Sequence, residues 1–172
     1  MASITAGNAI VCPFTIIVDT REQAPYTFGA VPAGGGRQWV VPIQCAGLRS
    51  GDYSIAGLES RIAIERKSLE DLYSTLGQGR ERFESEFQRL AEMEFAAVCI
   101  EADIREIWRP LEFRNEWRSR LNPRSVEGTI VSWSIRYPRV HWWTMGSRRQ
   151  AEIRVFATLK RFWDEQHNQP GR

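Results

Sequence analysis

An α/β domain, built on a central mixed β-sheet flanked by helices, is predicted by three features of this sequence. Short apolar runs rich in β-branched residues recur at 14–19, 39–43, 48–56, 61–67 and 94–101, lengths that suit strands. From residue 68 onward, segments with apolar residues at helical spacing interleave with such runs. The absence of a repeat, of a low-complexity tract and of an apolar stretch near ~18 residues leaves one globular domain as the expectation.

The run 14–19, Phe-Thr-Ile-Ile-Val-Asp, reads as a buried first strand that ends in the charged turn Thr20-Arg21-Glu22. Residues 29–37, with Pro32 and the Gly34-Gly35-Gly36 triplet, read as a flexible loop before a strand at 39–43. The triplet lacks the Gly-Lys-Ser/Thr ending of a phosphate loop, so no nucleotide cofactor is expected. Runs 48–56 and 61–67 flank Gly57-Leu58-Glu59-Ser60 and read as a hairpin. Ser68 is a natural N-cap, with Glu70 and Asp71 in the first turn and Leu69, Leu72 and Leu76 forming an apolar stripe. A second helix is expected over 80–93 on Phe83, Phe87 and Leu90, then a strand at 94–101. Helix, strand and helix follow at 124–137, 140–145 and 147–164, with Asn122-Pro123 and Ser147 opening the helices. The domain is thus expected to span 14–167, between an N-terminal extension, 1–13, and a frayed tail, 168–172.

Composition narrows the chemistry. Three separated cysteines, Cys12, Cys45 and Cys99, argue against a disulfide framework or a thiolate zinc site, and two histidines do not make a histidine-rich centre. A metal here should be bound by oxygen, which points to Mg²⁺ or Mn²⁺. The start lacks a basic leader and is interrupted by Asn8 and Pro13, so an intracellular location without membrane attachment is expected. Net charge is only +2, so any anionic partner must be met by local features. The stretch 105–124 is one, with six arginines among Trp108, Phe113 and Trp117, diluted by Glu106, Glu112 and Glu116. It suits phosphate contacts and stacking on unpaired bases as well as it suits an amphipathic surface with Trp inward.

With Leu58-Glu59 at the tip of the hairpin, partners are pairs whose numbers sum to 117, and Asp52 falls opposite Glu65. Period-two alternation puts Lys67 on the same face. Two acids ~5 Å apart repel unless a cation lies between them, a costly arrangement suited to holding a divalent metal. Such a metal would polarise a phosphate oxygen while Lys67 positions the nucleophile or neutralises developing charge. A lone Glu-x-Lys is more often an ordinary solvated strand edge, and it is the company of other motifs that lifts this one. Lys67 is also one of only two lysines, with Lys160, among 23 basic residues.

Val18-Asp19-Thr20-Arg21-Glu22, Gly51-Asp52-Tyr53 and Glu65-Arg66-Lys67-Ser68-Leu69-Glu70-Asp71 occur in this order. Together they resemble the V-D-x-R-E, G-D-Y and E-R-K-x-x-x-D motifs of the XPF-family nuclease domain, within the PD-(D/E)xK superfamily, over residues 14–100. The resemblance implies a restriction-endonuclease-like fold and a DNA endonuclease using Mg²⁺ or Mn²⁺, often at branched, flap or single-strand-containing DNA. It implies Asp52, Glu65 and Asp19 as metal ligands, Lys67 as the catalytic lysine and Glu22 as a further acid of the cleft. Arg21, Arg66 and Asp71 belong to the motifs too, and many members pair with a second copy or a partner protein. Arg21 and Arg66 suit clamping neighbouring carboxylates better than direct catalysis. Asp71 suits a helix cap as well as a site role.

Arg80, in Gly79-Arg80, matches the family's G-R segment and is a candidate phosphate contact, although Glu84 stands where a glutamine is frequent. Arg114, Arg118 and Trp117 are the candidate DNA contacts of the arginine and tryptophan stretch. The chain lacks a recognisable tandem helix-hairpin-helix module and a helicase region, so a compact single-domain version, as in bacteria or phages, is expected. Repair, recombination, phage DNA processing and defence all stay open. The competing reading is an inactive DNA-binding or scaffolding subunit of the same fold, against which the presence of Asp19, Glu22, Asp52, Glu65 and Lys67 speaks.

Overall fold

The computed structural model describes residues 8–114 and 117–167. The expected tail, residues 1–7 of the expected extension, and Glu116 lie outside the described residues. In chain order the elements are β1 (Ala9–Val11), β2 (Ile16–Asp19), β3 (Val31–Gly34), β4 (Arg37–Val40), β5 (Ile43–Ala46), β6 (Tyr53–Ile55), β7 (Ile62–Lys67), α1 (Leu69–Leu76), α2 (Arg80–Leu90), β8 (Phe95–Ile100), α3 (Ile104–Trp108), α4 (Pro110–Phe113), α5 (Pro123–Arg136), β9 (Val140–Thr144) and α6 (Arg148–His167).

Six strands form the central sheet in the order β5-β2-β6-β7-β8-β9. β6 runs antiparallel to both its neighbours, and the other pairings are parallel, so the sheet is mixed. Alternation along the strands builds two cores. Ile62 and Ile64 of β7, Tyr53 and Ile55 of β6, and Ala97 and Cys99 of β8 pack with Ala151, Val155, Phe156 and Leu159 of α6. Ala63 of β7 and Ala96, Val98 and Ile100 of β8 face the other way, onto Leu69, Leu72 and Leu76 of α1, Phe83, Phe87 and Leu90 of α2, and Val126 and Trp133 of α5. Each residue of β7 is thereby assigned to a face, which is what places the site.

Helix starts follow their capping chemistry. Ser68 accepts from Asp71 N at 3.1 Å, and Asn122 accepts from Arg124 N at 2.9 Å ahead of Pro123. Several segments differ from expectation. The expected single strand at 39–43 is two strands in two sheets, broken at Val41-Pro42, where the proline has no N–H to continue a ladder. Part of the expected loop at 29–37 is β3, and Gly34, Gly35 and Gly36, with φ of 82°, 58° and 73°, turn β3 into β4. Strands β3, β4 and β1 make a small second sheet, so Ala9–Val11, within the stretch expected as an extension, is paired. Of the expected strand 48–56 only Tyr53–Ile55 is extended, and two short helices, α3 and α4, were not expected at all.

Gly51 ends the loop that replaces the start of that strand. Its φ is +77°, and a Cβ there would lie 2.9 Å from Ala63 Cβ and 3.3 Å from the Ile64 carbonyl oxygen. Gly57 has φ +82° but open space around it. Gly51→Ala is therefore expected to cost about 2–4 kcal/mol, from left-handed backbone plus overpacking, and Gly57→Ala only about 1–2 kcal/mol. Urea denaturation of the two variants checks this; equal losses would mean that close approach to β7 contributes nothing.

Candidate active site at the end of the β6–β7 hairpin

The hairpin pairs Tyr53 with Ile64, the register that sets Asp52 opposite Glu65. Its connection is a pair of successive turns through 56–61, closed by Leu58 N to Ile55 O and Arg61 N to Leu58 O. Asp19, Asp52 and Glu65 end up side by side at the end of three adjacent strands: Asp19 N donates to Asp52 O at 2.8 Å, and Asp52 N to Ile64 O at 2.9 Å.

The three acids are used differently. Asp19 spends both oxygens locally, accepting from Arg21 N at 2.8 Å, Arg21 Nε at 2.7 Å and Leu48 N at 2.6 Å. Burial pushes its carboxyl up, but these donors outweigh burial and hold it below the usual carboxylate range. It thus fastens the 47–52 loop to the end of β2. Asp52 accepts from Arg66 N at 2.6 Å through Oδ2, and Glu65 meets Lys67 Nζ at 2.5 Å through Oε1. Among the described residues no donor is bonded to Asp52 Oδ1 or Glu65 Oε2. Burial, then the neighbouring Glu65, pushes Asp52 well above the usual range. Burial likewise pushes Glu65 up to about 7, against the pull of Lys67. Burial pulls Lys67 down, yet Glu65 beside it more than compensates, so the ammonium stays charged.

Glu86 of α2 joins this group, accepting from Gly51 N at 3.3 Å and adding negative charge at Glu65. Only its place beside Phe83 and Phe87 hints at this in the sequence, since a helix residue flanking the core face can reach a strand end. Lys67 lies 4.9 Å from the centre of the Phe83 ring.

On the other face, Arg66 is clamped by Glu101 at 2.8 and 2.9 Å and by Glu22 at 3.4 Å, all three side chains at most 10% exposed. Tyr53 of the G-D-Y motif points into the core, stacks on Tyr26 at 5.0 Å and accepts from Tyr26 N at 2.9 Å, anchoring the loop after Glu22. Asp71 accepts from the Ser68 hydroxyl at 2.8 Å and serves the helix cap. Arg80 donates to Thr129 Oγ1 at 2.7 Å and lies over Trp133, within the contact of α2 with α5. Glu84 pairs with Arg136 in the same contact. Arg114 pairs with Glu106 at 3.5 Å. Trp117 meets the Tyr73 ring edge-on at 4.6 Å, and with Arg118 and Arg120 it lines a groove of about 1040 Å³ along α1. That groove is distinct from the acid group, although α1 begins two residues after Lys67.

The donor set fits a hard divalent cation. Two carboxylates that repel one another, Glu65 buried and Asp52 half-buried, each keep an oxygen in reserve, and their cost falls when a cation sits between them. Among the described residues no three acidic, histidine or cysteine side chains converge as they stand, so Asp52 and Glu65 are the pair on offer.

This architecture is that of an α/β domain with a mixed central sheet, and comparison with known proteins narrows it. The ERCC4 domain matches residues 18–152, so the chain belongs to the ERCC4-domain family, a family of nuclease-type domains. In fold it is similar to XPF from Aeropyrum pernix, at 20% identity and a TM-score of 0.62, covering 90% of this chain and 70% of that one. XPF from Aeropyrum pernix solved in complex with DNA is similar at 22% identity and a TM-score of 0.56, covering 89% and 66%. No curated protein matches. Among the described residues no helix is long and apolar enough to cross a membrane.

Proposed function

We propose that the chain is an Mg²⁺- or Mn²⁺-dependent DNA endonuclease acting on branched, flap or single-strand-containing DNA. The observation that carries this reading is the Asp52–Glu65 pair, half-buried and buried, with Lys67 held against Glu65. Asp52 and Glu65 would hold the ion, with Asp19 fixing the loop that presents Asp52. The bound ion supplies Lewis-acid polarisation of a phosphate oxygen and lowers the pKa of water. Lys67 keeps its charge beside the scissile phosphate, where it orients the attacking water and offsets the negative charge that builds up. Glu86, at the rim, adds a carboxylate able to accept a proton from that water. Pairing with a second copy or a partner protein belongs to the same reading.

Cleavage of labelled single-stranded, duplex, flap and forked DNA, with Mg²⁺, Mn²⁺ or EDTA, tests it. Metal-dependent cutting supports the enzyme; binding without cutting in every metal would favour the inactive scaffold instead.

The DNA path is assigned to the groove beside α1, where Trp117 offers a stacking face and Arg118 and Arg120 offer charge. Affinity is expected to fall steeply between low and physiological salt, and Arg118→Ala or Arg120→Ala to lower the log–log slope by about 0.7–0.9 each, one phosphate contact. Arg114, which does not line the groove, is expected to change it less. Fluorescence anisotropy across a salt series measures the slopes; slopes unchanged in both variants would move the DNA elsewhere.

A further inference from the structure

The face of the sheet opposite the acid pair carries a second group of charges. Arg66 divides its guanidinium between Glu101, at 2.8 and 2.9 Å, and Glu22, at 3.4 and 3.5 Å. Glu101 continues from β8, its N–H donating to Lys67 O at 2.8 Å. Arg148, the first residue of α6, then meets Glu101 at 2.9 Å and donates to the carbonyls of Ala24 at 2.7 Å and Pro25 at 3.0 Å. Its guanidinium also lies 4.8 Å from the centre of the Tyr26 ring. A single side chain on the last helix thus grips both ends of the arrangement: the carboxylate that fixes Arg66, and the loop that follows Glu22.

That loop needs holding. Phe28 and Ala30 have φ of 51° and 55°, the left-handed region unfavourable to residues with a Cβ. Arg149 donates to the Gly29 and Ala30 carbonyls at 2.9 and 2.6 Å, and Glu152 accepts from Phe28 N at 2.6 Å. The far side of the loop is therefore gripped by the same turn of α6. Arg66 in turn holds the site, because its backbone N–H is the donor to Asp52 Oδ2 at 2.6 Å.

We propose that Arg148 is a positioning residue of the nuclease site, acting through Glu101 and the Glu22 loop to hold Arg66, and with it Asp52, in working geometry. The inference rests on the nuclease reading. Arg148 touches no residue of the acid pair. Its guanidinium is nonetheless the link by which the placement of α6 governs the placement of a carboxylate two strands away. Direct hydrogen-bond partners of a metal ligand alter activity by about 10–100-fold when removed, and Arg148 acts through such a partner, Arg66.

The test is single-turnover cleavage by the full chain at saturating DNA and Mn²⁺, for Arg148→Met, Glu22→Gln and the double variant. Arg148→Met is expected to slow cleavage about 10–100-fold while DNA affinity in EDTA stays within about twofold. The double variant should be no slower, within about threefold, than the slower single one, since both changes release the same arm. Arg148→Lys, which keeps a charge near Glu101 but not the fork, should fall between. Arg61→Met is the structural control: it removes an ion pair with Glu94 and a bond to Gln166 at the opposite end of β7, and should cut within threefold of wild type. Amide hydrogen exchange over residues 22–30 should quicken in Arg148→Met and not in Arg61→Met. Multiplicative losses in the double variant, an Arg148→Met rate near wild type, or unchanged exchange would each overturn the proposal. A wild type that cuts no DNA would instead overturn the nuclease reading and the proposal with it.

Discussion

Glu65→Gln and Asp52→Asn are each expected to abolish cleavage, and Asp52→Asn to leave the metal-free protein as stable as wild type or more so. Each variant removes an oxygen donor for the proposed ion and, at the same time, one of two neighbouring charges that repel. The pH dependence of stability follows from the same burial. Glu65 titrates at about 7 in the folded chain, above the ordinary carboxylate value, so the folded state keeps a proton that the unfolded state has released. The associated stability is fully present below the unfolded value and is lost as pH rises through 7, a change on the order of 3 kcal/mol. Asp52, raised in the same direction, adds to it. Thermal unfolding in EDTA should therefore show a melting temperature that declines from about pH 5 to about pH 8 in wild type and declines less in Glu65→Gln. A variant that cuts at the wild-type rate would remove its residue from the site.

Lys67→Arg should keep the fold and DNA binding yet slow cleavage by roughly two to four orders of magnitude, the range for losing a preorganised charge or proton-transfer group. The ammonium sits largely buried between Glu65, at 2.5 Å, and the Phe83 ring. A guanidinium is larger, has a planar fork and prefers to take a carboxylate with two parallel bonds. In this slot it would close over both oxygens of Glu65, including the one that now has no donor. The result would be a competitor for the ion as well as a poor partner for water. Single-turnover kinetics at saturating DNA and metal isolate the step, and a rate within threefold of wild type would reduce Lys67 to a charge without a geometric role.

The opposition of Asp52 and Glu65 was legible because register depends on where a hairpin is centred. The centre lies between Leu58 and Glu59 whether the connection is a tight tip or the two turns through 56–61 that form it. The clamping of carboxylates by Arg21 and Arg66 was legible from guanidinium chemistry alone. What was not legible depends on contacts between distant segments. The sequence places Asp19 among acids of one cleft, but only the fold shows its oxygens turned to Arg21 and Leu48. Glu86 has only its place beside the core face of its helix as a signal and Arg148 has none, both being ordinary helix residues until packing brings them to a strand end. Arg80 matched a motif, yet Trp133 and Thr129 across the α2–α5 contact occupy it. The glycine triplet and Pro42 read as loop and strand because pairing between β3 and β4, and the switch of sheets after β4, are tertiary outcomes.

The confrontation of the two acids is complete within one hairpin, whereas the helices that seal it come from later in the chain. Hairpins close in about 1–10 μs, and synthesis adds roughly 5–20 residues per second, so on a growing chain the carboxylates meet while still surrounded by water. There their repulsion is slight, about 1 kcal/mol at contact distances. It becomes expensive only when α1 and α2 close over the strand end and exclude solvent. The electrostatic cost of the site therefore enters with the closing of α1 and α2, not with the pairing of β6 and β7. It is relieved whenever α1 and α2 open locally and water returns to the carboxylates, so it favours that opening over the sealed state.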